Sequence, residues 1–125
     1  MKINKQILLF LFPLLMLLTS FKNSDSITGK WVFNDSPREI EIYMDNNKYY
    51  GKITKVSGTE KIERVGHILL LDFVYNPAEK EYNGNINSPG GMTASGVLSV
   101  VNEQKLKFSI KKLFISKSFT LTRIQ

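Results

Sequence analysis

Short runs in which apolar and polar residues alternate, each closed by a turn-forming cluster, repeat from Gly29 to the end of the chain. A period of two sends successive side chains to opposite faces, so such runs make half-buried β-strands. Arg38–Met44 is the clearest: Ile40, Ile42 and Met44 share one face, and Glu39, Glu41 and Tyr43 the other. Met92–Val101 groups Met92, Ala94, Gly96, Leu98 and Val100, and Lys105–Lys112 sets Leu106, Phe108 and Ile110 against Lys105, Lys107, Ser109 and Lys111. Gly29–Phe33, Lys48–Val56, His67–Tyr75, Glu81–Ser88 and Ser116–Ile124 complete a set of eight. Tyr49, Gly51 and Ile53 fall on the inner face of the third, and Phe119 and Leu121 on that of the last.

The turns between them have identifiable causes. Asn34-Asp35-Ser36-Pro37 is a bend cluster, Asp45-Asn46-Asn47 tolerates the positive φ of a tight hairpin, and Pro89-Gly90-Gly91 breaks a strand. Asn102-Glu103-Gln104 supplies a further hairpin, and Gly51 inside a strand marks a bend of the kind barrels use. Residues 57–66 read as a polar loop with a short strand around Ile62. The run Ile68-Leu69-Leu70-Leu71 cannot by itself separate strand from helix. Its length and its flanks, Gly66 and Asn76-Pro77, favour a strand covered on both faces, with Leu69, Leu71 and Phe73 inward. Strands spaced roughly 10–12 residues apart, with no helical period after residue 20, mean a sandwich or a barrel. Short turns between antiparallel neighbours favour closure, because it removes exposed edges. The expected fold is all-β, a single eight-stranded antiparallel up-and-down barrel over residues 28–125.

Ahead of the strands, Met-Lys-Ile-Asn-Lys leads into an apolar run from Ile7 to Leu18 and a small-residue exit at Thr19-Ser20. That is the pattern of a secretory signal peptide over residues 1–20. The run is shorter than the roughly 20 residues a spanning helix needs, and Pro13 interrupts it; an uncleaved anchor is the alternative. Residues 21–27 then form a loose mature N-terminus. The expected location is the periplasm or the exterior, with no transmembrane span once the leader is gone. Loss of Lys2 and Lys5 lowers the net charge from +6 to +4, which is basic but diffuse. With no cysteine, thiol chemistry, thiolate metal sites, disulfides and a thioether-linked lipid anchor are all excluded. Stability must come from packing.

Several segments in order carry a resemblance: Gly29-Lys30-Trp31, Ile40-Glu41-Ile42-Tyr43, Tyr49-Tyr50-Gly51-Lys52-Ile53, Tyr82-Asn83-Gly84-Asn85-Ile86-Asn87-Ser88-Pro89, and Phe119-Thr120-Leu121-Thr122-Arg123. Over roughly residues 28–124 the chain resembles the bacterial family catalogued as domain of unknown function 2147. The resemblance implies an exported, lipocalin-like barrel. It also implies that Gly29 and Trp31 on the first strand pack beneath Arg123 from the last as a structural closure. A guanidinium over an indole face is a favourable contact in its own right. The chain departs from the family pattern at Asn87 and Ser88, where an aromatic and an acid are usual, and in a shorter 57–66 loop without an Asn-Pro pair.

Catalytic chemistry finds little support in these residues. His67 is the only histidine and has no spaced partners for base or metal work. Asp72 follows an apolar run, and its reading as an outward strand-end residue stands against a buried, shifted carboxylate. No serine sits in a Gly-x-Ser-x-Gly setting, and Pro89-Gly90-Gly91 lacks the Lys-Ser/Thr of a phosphate loop. No cofactor, metal or catalytic residue is expected. The inward set Ile40, Ile42, Tyr49, Ile53, Leu69 and Leu71 joins Phe73, Leu98, Phe108, Ile110 and Phe119. It either lines an apolar cup for a small lipophilic molecule or is simply core. Lys105, Lys107 and Lys111 share an outer face that suits an anionic envelope component such as lipid headgroups or acidic polysaccharide; a solvated face is the alternative. Nucleic acid is not expected, since no aromatic platform interleaves the lysines. The function expected is that of an exported non-enzymatic barrel binding a small hydrophobic ligand. The alternative is an envelope interaction protein with a filled barrel.

Overall fold

Trp31 pairs with Arg123, Val32 with Thr122 and Phe33 with Leu121, so the first and last strands are neighbours and the sheet closes on itself. The computed structural model describes residues 27–36, 38–56 and 64–124. Within them the strands run β1 (Gly29–Phe33), β2 (Glu39–Asp45), β3 (Lys48–Lys55), β4 (Ile68–Asn76), β5 (Glu81–Asn87), β6 (Thr93–Asn102), β7 (Lys105–Lys112) and β8 (Ile115–Arg123). Each is antiparallel to its chain neighbours, giving a closed eight-stranded up-and-down barrel. The expected leader, residues 21–26 and the strand around Ile62 lie outside the described residues.

Alternation holds where polar residues interrupt the apolar ones. Ile40 and Ile42 of β2, Tyr49 and Ile53 of β3, and Leu106 and Phe108 of β7 are all buried, while the Lys105, Lys107 and Lys111 side chains are exposed. Asn46 and Asn47 take φ values of 52° and 65°, as the tight β2–β3 turn requires. Met44 keeps the inner parity but is 45% exposed, at the end of its strand next to that turn.

β4 departs from simple alternation. Opposite Gly51 stands Leu70, yet opposite Tyr49 stands Phe73, so β4 carries one more residue than β3 between those pairs. A second slip sets Ile68 rather than Leu69 opposite Lys52. Each extra residue flips the face that follows. Leu70 and Phe73 therefore fill the interior, and Leu71 is turned out and half-buried, correcting the expectation that it faces inward. Asp72 takes up the irregularity with φ 56°.

The interior is filled by its own side chains. A Cβ on Gly51 would lie 2.6 Å from Leu70 Cδ1; one on Gly84 would lie 2.4 Å from Phe73 Cδ1. Gly84 and Gly96 face each other across β5 and β6, and the Phe73 ring spans both. These glycines leave the room that Leu70, Phe73 and Ile86 occupy. Phe33, Phe108 and Phe119 form a second cluster, with ring centroids 6.0–6.1 Å apart.

Candidate functional site

At one end of the barrel the start of β1 and the end of β8 are tied together. Trp31 is fully buried, and its indole Nε1 donates to the Ile27 carbonyl at 2.9 Å. The Arg123 guanidinium carbon stands 4.3 Å from the centre of the indole. Arg123 also donates from Nη1 to the Thr28 carbonyl at 2.8 Å and from Nε to the Glu103 carbonyl at 2.9 Å. Gly29 takes φ 127°, which L side chains rarely adopt, and a Cβ there would come within 2.9 Å of Arg123 Nη1. Ile27, placed by its sequence in a loose N-terminus, is fully buried instead. The Trp31 indole needs a buried acceptor, and the turn at Ile27 provides it. At this end Trp31 and Arg123 tie the first strand to the last.

Most residues expected to line a cup are core. Ile40, Ile42, Tyr49, Ile53, Leu69, Phe73, Leu98 and Phe108 are between 0% and 5% exposed. Ile110 and Phe119 are partly buried against them. Lys117 Nζ stands 5.1 Å from the Phe119 ring centre, so a cation rests over the aromatic cluster.

The opposite end, where the β5–β6 and β7–β8 turns lie, carries the candidate binding site. There an open cleft of about 640 Å³ runs between β4, β5, β6 and the end of β7. Leu71 and Ala94 give it apolar surface over the buried Ile86, Thr93 and Ser95 give hydroxyls, and Lys111 and Lys112 give positive charge. Leu71, Asn85, Ser95 and Lys111 stand in register across the four strands, so the cleft runs along the outer face of the wall toward the rim. An apolar surface beside two ammonium groups suits a molecule with a short hydrocarbon part and an acidic head. Sequence reasoning singled out Leu71 and Lys111 for other reasons; no periodic signal marks the rest.

A polar cluster lies on the outer face of β2, β3 and β4. The Tyr50 hydroxyl donates to Asp72 Oδ1 at 2.9 Å, Lys48 Nζ lies 3.9 Å from the same oxygen, and Tyr43 stacks on Tyr50 at 5.9 Å. The hydrogen bond to Asp72 raises the Tyr50 pKa above its ordinary value of 10.0; lost hydration and the charges of Asp72 and Asp45 add to the effect. The neutral phenol is therefore the form the fold prefers. Its contribution to stability is present below the ordinary value and is lost as pH rises through the raised one. Phenolate absorbance should show Asp72→Asn returning the Tyr50 titration toward its ordinary range; an unmoved curve would remove Asp72 as the cause.

His67 stands just before β4, and its Nε2 lies 2.6 Å from the Asn87 carbonyl, so that nitrogen carries the proton. This bond fastens the entry of β4 to the end of β5. Among the described residues no group of three or more His, Cys, Asp or Glu side chains could hold a metal. At Arg38, burial lowers the pKa first and the nearby Arg64 charge second.

The geometry defines the class: a small, closed, antiparallel β-barrel with a filled interior and a cleft at one rim. Comparison with family models, with curated proteins and with solved structures gives no match.

Proposed function

We propose that this chain is an exported, non-enzymatic binding barrel of the cell envelope. Its ligand is a small amphiphile with an acidic head, held in the rim cleft and not in the barrel interior. The observation that carries this reading is the cleft itself, which sets Leu71 and Ala94 beside Lys111 and Lys112. Within the barrel, Leu70, Phe73 and Ile86 occupy the space above the inward glycines, which favours the rim. Export rests on the leader pattern at residues 1–20, and the non-enzymatic reading on the missing nucleophile–base pair and ligand set in the sequence.

Calorimetric titration with a medium-chain fatty acid and with the alcohol of equal chain length tests this. The acid should bind at least roughly tenfold more tightly than the alcohol, as a charge-assisted contact implies. Lys111→Gln with Lys112→Gln should erase that preference, and Ser95→Phe should block both ligands by filling the cleft. Equal binding of acid and alcohol, or binding untouched by Ser95→Phe, would move the ligand elsewhere.

A further inference from the structure

The β7–β8 hairpin ends in a tip unlike the other turns of this barrel. Leu113, Phe114 and Ile115 are 92%, 102% and 74% exposed. Strand pairing ends at Lys112 with Ile115, so only Leu113 and Phe114 form the turn, and the tip is narrow and convex. Leu113 sits at φ 54°, a backbone region that disfavours a bulky aliphatic side chain and suits Asn or Gly. The β2–β3 turn meets the same demand with Asn46 and Asn47. The apolar residues at 113–115 are thus placed where both solubility and turn chemistry argue against them.

The hairpin that carries the tip is basic. Lys111 and Lys112 precede it and Lys117 follows, with Lys105 and Lys107 further along the same hairpin. Glu103 is the last acidic residue in the sequence, so the stretch from residue 104 onward carries six cations and no anion. A convex apolar point flanked by lysines is a poor fit to a small molecule, which needs a concavity. It is a good fit to a bilayer surface, where apolar side chains enter the headgroup–acyl boundary and lysines stay among anionic headgroups.

From this arrangement we infer that the β7–β8 hairpin tip is a membrane-docking element: Leu113, Phe114 and Ile115 insert into the interfacial layer of an anionic bilayer while Lys111, Lys112 and Lys117 bind its headgroups. Docking places the rim cleft, which shares Lys111, Lys112 and Leu113, against the lipid surface. The inference stands whether or not the cleft takes a ligand.

A tryptophan at the tip provides the test. Phe114→Trp in the full chain reports on position 114 alone, because Trp31 is fully buried and gives a constant background. The local readout is needed because residues 7–18 are apolar and would carry the chain into a vesicle pellet by themselves. Vesicles of phosphatidylcholine with one-third phosphatidylglycerol should shift the tip emission to the blue, and brominated acyl chains should quench it. Raising the salt to about 0.5 M should largely reverse the shift. In the same background, Lys111→Gln, Lys112→Gln and Lys117→Gln together should weaken partitioning by at least roughly tenfold. Leu113→Asn with Ile115→Thr should do so as well, with the melting temperature held or raised because Asn accepts the turn conformation. An emission unchanged by anionic vesicles would overturn the proposal, as would equal response to phosphatidylcholine alone or unaltered partitioning in the Leu113→Asn/Ile115→Thr variant.

Discussion

Trp31→Ala should remove about 3–5 kcal/mol of folding stability, as loss of a fully buried large aromatic does. The effect is large because three things fail at once. The indole volume empties at the closed end, the Ile27 carbonyl loses its donor, and the Arg123 guanidinium loses the face 4.3 Å beneath it. A domain of this size has only about 5–15 kcal/mol in total, so the variant sits near the edge of folding. Each kcal/mol lost should lower the melting temperature by roughly 4–8 °C. Arg123→Ala should cost less, about 1–2 kcal/mol, from lost stacking and the two bonds to the Thr28 and Glu103 carbonyls. Arg123→Lys should recover only part of that, because an ammonium cannot lie flat on the indole and reach both carbonyls. The double variant should lose less than the sum of the singles, since each removes the other's partner. Thermal melts in which both single variants match the parent chain would mean that this end does not hold the barrel shut.

How far the sequence foretold these features depends on what interrupts the apolar residues. In β2, β6 and β7 charged or hydroxylated residues alternate with Ile, Leu and Phe, so the inner face can be read directly, and the eight strands and their closure follow. In β4 four apolar residues stand in a row, parity carries no information, and the slips at Leu69 and Asp72 were invisible. Leu71 was misplaced for that reason. The pairing of Trp31 with Arg123 is separated by most of the chain, and only the resemblance at the two termini pointed to it; the register then sets the two opposite each other. Ile27 gave no signal, because a single apolar residue ahead of a strand looks like any other loop position. The rim cleft was equally hidden, being assembled from residues of four neighbouring strands. The tip at Leu113-Phe114-Ile115 was in plain view as a break in polarity, but a turn is expected to be polar, and its significance lies in exposure that only the fold reveals.

Gly84→Ala should destabilise the barrel by about 1–3 kcal/mol, although it adds a single methyl group. Its Cβ would fall 2.4 Å from Phe73 Cδ1 and 2.7 Å from the Leu71 carbonyl oxygen. The same ring also covers Gly96, where its Cζ takes the space a side chain would need. Phe73→Leu should relieve part of the Gly84→Ala penalty, and the Leu71 carbonyl, being backbone, should keep the rest. The complementary change, Phe73→Ala, should cost about 3–5 kcal/mol and leave a dry hole across β4, β5 and β6. That variant decides between the two readings of the inward side chains. If the interior is filled, the parent chain should not take up xenon or benzene, and Phe73→Ala should. If the parent chain binds them equally well, the barrel already holds a cup, and the ligand belongs inside it and not at the rim.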